Sequence, residues 1–116
     1  MIDTRLLGTW KSDIRKTLWE ARRWRDIPES KRRKLRLILG KLRVRFTRTR
    51  SYSEFEGKRS VAPYQVVAKD ARSVAILAPA ILDEDEQEIV HIHFEGRYYW
   101  VWPDLANFPE YFRRLK

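Results

Sequence analysis

The stretch Leu7-Gly8-Thr9-Trp10-Lys11-Ser12-Asp13 decides the fold. A glycine two residues ahead of a tryptophan lets a strand bend sharply at the rim of a closed β-structure, because glycine alone takes the backbone angles of such a bend at no steric cost. The indole then supplies a large apolar plug for that end of the barrel. Ser12-Asp13 stops the strand, and either side chain can accept a hydrogen bond from the free amides of a helix that follows. Residues 5–12 are therefore read as the first strand.

Beyond Asp13 the apolar period becomes helical. Ile14, Leu18, Ala21 and Trp24 make one stripe, with Arg15, Arg22, Arg23 and Arg25 on other faces and Trp19 off the stripe. Pro28 disfavours helix in the residue before it and can open the next one. Leu35, Ile38, Leu39 and Leu42 form a second stripe, backed by Lys31, Arg32, Arg33, Lys34 and Arg36, and Gly40 is the expected stop. Two short helices over residues 13–39 are thus inserted after the first strand.

From residue 41 the period falls to two. Leu42, Val44 and Phe46 alternate with Arg43, Arg45 and Thr47, which gives a strand with one basic face. A strand over 50–56 ends at the turn Glu56-Gly57. Tyr64, Val66 and Ala68 alternate in the next apolar segment, Lys69 to Arg72 turn the chain, and Val74 to Leu77 resume it. The acidic loop Asp83 to Glu86 leads into a strand from Glu88 to Phe94, and Glu95-Gly96 turns it back into Arg97 to Trp102. A last segment runs from Glu110 to Leu115. About eight short strands joined by tight turns predict a mainly β (α+β) fold, a small antiparallel barrel or curved meander, in a single domain spanning 1–116.

Composition bounds the function. The 116 residues suit one domain with one core. Cysteine is absent, so disulfides, thiolate metal sites and cysteine nucleophiles are excluded together, and a cytoplasmic setting is expected. The longest apolar run, Val74 to Leu82, is broken by Pro79 and is far too short to span a membrane. Charge is lopsided: residues 1–59 hold 19 Lys/Arg against 7 Asp/Glu, a net of +12, whereas residues 60–116 hold 6 against 9, a net of −3. Such a chain attracts phosphates or an acidic partner through its first half, unless the charges simply solvate its outer faces.

A Gly-x-Trp strand, two short helices and a run of antiparallel strands together resemble the calycin superfamily, the lipocalins and fatty-acid-binding proteins. Gly8-Thr9-Trp10-Lys11 looks especially like the opening of the fatty-acid-binding proteins, where a helical pair also follows the first strand. The resemblance implies a calycin-like barrel that binds a small apolar or anionic molecule without catalysis. It also implies a plug made of Gly8, Trp10 and a C-terminal basic residue, Arg113 or Arg114, stacked on the indole. At the ligand end Tyr111-Phe112-Arg113 reverses the Arg-x-Tyr order with which fatty-acid-binding proteins hold a carboxylate.

Several residues are candidates for chemistry. Arg48 and Arg50 share the parity of Leu42, Val44 and Phe46; pointing inward, Arg48 with Tyr64, Tyr99 and Arg113 would line a cavity for an anion. The competing expectation is that the strand twists out of the core by Arg48, leaving the arginines in water. His91 and His93 lie two apart on one strand face, yet no third ligand is fixed by spacing, so they are read as solvent-side residues and no metal is assigned. Tyr98, Trp100 and Trp102 form a row opposite Tyr99 and Val101. A two-residue Glu95-Gly96 loop sets Ile92 beside Tyr99, a three-residue loop sets the Trp row beside Val90 and Ile92, and spacing leaves both open. Lys31 to Lys34 with outward Arg43 and Arg45 could form a phosphate-binding stripe, so a basic scaffold for nucleic acid or an acidic protein is the alternative function. Gly-rich phosphate loops, nucleophile elbows and His-Glu-x-x-His helices are absent, so no catalytic residue or cofactor is assigned.

Overall fold

The computed structural model describes residues 1–21, 26–79, 85–102 and 108–115, with the side chain of Ile38 left aside. Arg22, Arg23, Trp24 and Arg25 of the first helical stretch, residues 80–82 of the Val74 to Leu82 run, and Asp83 and Glu84 of the acidic loop lie outside the described residues. Among the described residues the order is β1 (Gly8–Ser12), α1 (Ile14–Glu20), α2 (Glu29–Ile38), β2 (Arg43–Phe46), β3 (Arg50–Phe55), β4 (Lys58–Pro63), β5 (Gln65–Lys69), β6 (Ser73–Pro79), β7 (Gln87–Glu95), β8 (Tyr98–Val101) and β9 (Glu110–Leu115). The protein is mainly β, with two helices after the first strand, and no described helix is long and apolar enough to cross a membrane.

All nine strands pair antiparallel in one sheet, ordered β4-β3-β2-β1-β9-β8-β7-β6-β5. The sheet curls into a nearly closed barrel. Its centre is the pairing of the first strand with the last, where Trp10 faces Arg114 and Lys11 faces Arg113. Its two edges, β4 and β5, are successive pieces of one chain segment bent at Tyr64, whose amide donates to Thr49 O at 3.0 Å. The phenol of Tyr64 reaches back to donate to Thr47 O, which pins the corner where the barrel stays unzipped.

Alternation fills the interior. Trp10, Val44, Phe46, Tyr64, Val66, Val74, Ile76, Ile92, Tyr99 and Phe112 form one buried cluster together with Leu6. The rings interlock at aromatic-pair distances: Trp10–Tyr99 at 4.7 Å, Tyr99–Phe112 at 4.7 Å and Phe46–Tyr64 at 5.4 Å. A second cluster of Ala21, Leu35, Leu39 and Phe108, flanked by Ile14, Leu18 and Ile27, joins the helices beneath one end.

Local chemistry sets the boundaries. Asp13 is the N-cap of α1, accepting from Lys16 N at 3.0 Å. Ser12 instead spans the junction of sheet and helices, its hydroxyl donating to Glu110 Oε2 at 2.7 Å and accepting from Gly40 N at 3.0 Å. The first strand begins at Gly8, later than residue 5, because Asp3 accepts from the Arg5 amide and guanidinium and folds residues 4–6 into a turn. Glu56 and Gly57 both take positive φ, 50° and 82°, as a two-residue type I′ hairpin requires.

The last hairpin turns one residue later than the Glu95-Gly96 reading. Glu95 pairs with Tyr98, so the loop is Gly96-Arg97 with Gly96 at φ 59°. His93 therefore faces Trp100, and Phe94 faces Tyr99. Moving the turn by one residue shifts cross-strand partners by two. Sides are thus preserved, and Tyr99 joins the core while Trp100 stays outside.

Candidate functional site

Gly8, Trp10 and Arg114 meet at one end of the barrel. Gly8 has φ 121°, and a Cβ there would lie 3.0 Å from Arg114 Nη1, so glycine gives the arginine room to cross. The Arg114 guanidinium lies 4.2 Å above the Trp10 ring and donates to the carbonyls of Leu7 and Arg5. Trp10 itself is 1% exposed, with its Nε1 donating to Leu6 O at 2.9 Å. Arg113, the other candidate for the indole, points away, since neighbouring residues of a strand face opposite sides.

The four residues proposed to line a cavity do not converge. Tyr64 and Tyr99 are packed in the core, and burial pushes the Tyr99 phenol well above its usual range. Arg113 lies exposed on the outer face. Arg48 does not point into the barrel. Strand β2 ends at Phe46, and Thr47 closes a tight turn on Arg50 through its amide and hydroxyl, so the inward parity of Val44 and Phe46 is broken before Arg48 and both Arg48 and Arg50 are exposed. Tyr64 and Tyr99 instead each meet Phe46 at aromatic-pair distance, 5.4 and 6.3 Å between ring centres.

The outer face holds a different arrangement. Reading across the sheet, Arg59 faces Glu54, Glu54 faces Arg43, Arg43 faces Lys11, Lys11 faces Arg113, and Arg113 faces Tyr98. Three cations, Arg43, Lys11 and Arg113, thus stand directly opposite one another on three successive strands, β2, β1 and β9. Strand spacing sets their backbones about 5 Å apart. Like charges so placed destabilise a sheet by a few tenths of a kcal/mol to about 1 kcal/mol per pair. Among the described residues none of the three has a carboxylate within ion-pair distance, whereas Arg59 meets Glu54 at 3.5 Å. The neighbouring row carries Arg45 over the face of Tyr52 at 4.2 Å. Arg43, Arg45, Tyr52, Glu54 and Arg59 enclose an open groove of about 350 Å³.

Beyond Arg113 the outer face turns aromatic. Trp100 is half-buried and stacked on His93, ring centroids 4.0 Å apart and planes 14° from parallel. Burial, and next the nearby His91, hold the His93 imidazole below its usual pKa; His91 itself is exposed. No group of three or more metal-ligating side chains occurs among the described residues. Tyr98 and Tyr111 flank the ammonium of Lys16, at 5.3 and 5.2 Å from their ring centres, and Glu20 binds that ammonium at 2.9 Å. The Glu20 hydrogen bond raises the Lys16 pKa, while burial, with Glu95 second, pushes Tyr111 up to about 12. These groups are locked in internal pairings.

On the helices, Lys31, Arg33 and Lys34 are exposed, while Arg32 is held by Glu29 at 2.6 Å. Lys11 escaped the sequence reading although it adjoins Trp10. Its parity opposite the indole was the available signal, but its neighbours Arg43 and Arg113 come from strands far away in the chain. Compared with known proteins, no family model, curated protein or solved structure matches this chain.

Proposed function

We propose that this protein is a non-enzymatic binding module that holds a polyanion on the outside of its barrel. The observation that carries the reading is the row Arg43, Lys11 and Arg113 across β2, β1 and β9, which makes no ion pair among the described residues although Glu54 stands opposite Arg43. Placing like charges opposite one another costs stability, and a bound anion recovers it by neutralising all three at once. A packed interior supports the outside over the inside: Tyr64 and Tyr99, which a calycin-type interior ligand would have to touch, are spent on core packing. The reading goes with the cytoplasmic setting expected of a cysteine-free chain.

The test is retention on, and titration with, a phosphate-bearing polymer at rising salt. Neutralising three phosphates gives a log–log salt slope of roughly −2 to −3. The triple variant Lys11→Gln, Arg43→Gln, Arg113→Gln is expected to flatten that slope and lose most of the binding, with its circular dichroism unchanged. Binding that ignores salt, or that survives the triple change, would overturn the proposal.

The groove of about 350 Å³ beside Tyr52 favours a second reading, a small anionic ligand held by Arg43, Arg45 and Arg59, which keeps the calycin-like role but moves the site outside. Such a ligand would saturate the protein at low molecular weight and show no gain in affinity with polymer length.

A further inference from the structure

We infer that the polyanion is single-stranded nucleic acid, with phosphates on the Arg43–Lys11–Arg113 row and bases on the aromatic side of β8. This rests on the polyanion reading above and narrows it to one partner. The cations and the aromatics share one face: Arg113 stands directly opposite Tyr98, whose own ring is taken up by Lys16. Trp100, two residues further along β8, lies on that same face. Its ring is backed by His93 at 4.0 Å, so the indole is held in one orientation before any ligand arrives. Just past the strand end, Trp102 is 59% exposed, an unusual investment of a large apolar ring in water. From Tyr98 to Trp100 the strand advances roughly 7 Å, and the cation row lies one strand over, about 5 Å away.

The alternatives use only part of this surface. A duplex hides its base faces within its own stack and can offer only phosphates to the cations. An acidic protein segment brings carboxylates and no flat π-systems for the indoles. A single strand offers both, and stacking on aromatic rings is tolerant of base identity. Among the described residues nothing on this face resembles a groove-reading element, so the binding is expected to be indifferent to sequence.

The experiment titrates the full chain, at one fixed salt concentration, with oligothymidylate of about a dozen nucleotides, a duplex of equal phosphate number and polyglutamate of equal charge. Oligothymidylate should bind at least roughly 10-fold more tightly than either competitor and quench tryptophan fluorescence. Trp102→Ala should weaken oligothymidylate binding roughly 5-fold or more and leave duplex binding unchanged. Trp102→Phe, which keeps a π-face, should restore most of it. Because Trp102 is exposed, neither change threatens the fold, and Trp100→Ala is needed only as a second probe. Equal affinity for duplex and single strand, with Trp102→Ala silent, overturns the inference while the polyanion reading stands. Preference for polyglutamate overturns it in favour of an acidic protein partner. Failure of all three ligands to bind ends both.

Discussion

Among the described residues Glu110 is the carboxyl that burial holds above its usual pKa. It lies at the junction of β9, β1 and the helices, and burial raises its pKa against the opposing pull of the Ser12 hydroxyl. A carboxyl that is harder to ionise when folded than when unfolded weakens the native state as pH rises. The penalty is absent below the unfolded value near 4.5, grows as pH passes from there through the folded value, and stays constant above it. Glu110→Gln keeps an acceptor for Ser12 and removes the charge. Thermal unfolding should therefore show the variant more stable than the parent at pH 7 and indistinguishable from it below pH 4. At the other end of the barrel, Arg114→Ala removes the cation over Trp10 and two donors to backbone carbonyls. A loss of roughly 0.5–2 kcal/mol in denaturant unfolding is expected for the stacking alone. Gly8→Ala should cost more than about 1 kcal/mol, because a positive φ of 121° excludes a Cβ whatever room the arginine makes for it.

The element that matters most for assembly is α1, which takes over where β1 stops. Strand β9 is paired with β1 only as far as Ser12↔Phe112; at Tyr111 its carbonyl accepts from Asp13 N and its amide donates to Thr17 Oγ1 at 2.9 Å. A helix thus completes the hydrogen bonding of a strand, and Thr17, 0% exposed, is the residue that does it. Thr17→Val keeps the shape and leaves a buried amide without an acceptor, at a cost of about 1–3 kcal/mol. Thr17→Ser should recover much of that loss, and denaturant unfolding of the three proteins checks both. The two helices and most strand limits were legible in sequence because each rests on neighbours within a few residues: the Asp13 cap, the stop at Gly40, the Glu56-Gly57 turn. Thr17 was not singled out, because its partner is a backbone amide 94 positions along the chain.

For the whole molecule, the order of the sheet predicts an uneven distribution of stability. Strands β1 and β9 sit at its centre and hold Trp10 and Phe112, whereas β4 and β5 are its edges and present exposed Val61 and Val67. Amide exchange should be slowest in β1, β9 and β8 and fastest in β4, whose outward Val61 is exposed. Equal protection around the barrel would show that the edges zip together in solution. Charge is a property of this scale as well. The excess of basic residues in the first half of the chain was evident from counting, but its conversion into a row required β1 to lie between β2 and β9.

Residue types and their periods alone determined that this chain would be mainly β, that two helices would interrupt it after a Gly-x-Trp strand, and that the indole would serve a closed end. Those conclusions draw on backbone preference and on apolar spacing, which act over a few residues and are written directly in the order of the chain. Only the tertiary structure decided which rings fill the barrel, where the last hairpin turns and which cations stand together. Arg48, placed inward by parity, was grouped with Arg113 in one candidate site, yet a tight turn at Thr47 and the outward face of β9 leave both on the surface instead of in a common cavity. Lys11 gained its neighbours only when β1 paired with β2 on one side and with β9 on the other, because register between distant strands is set by the packing of a whole core and leaves no mark in local sequence.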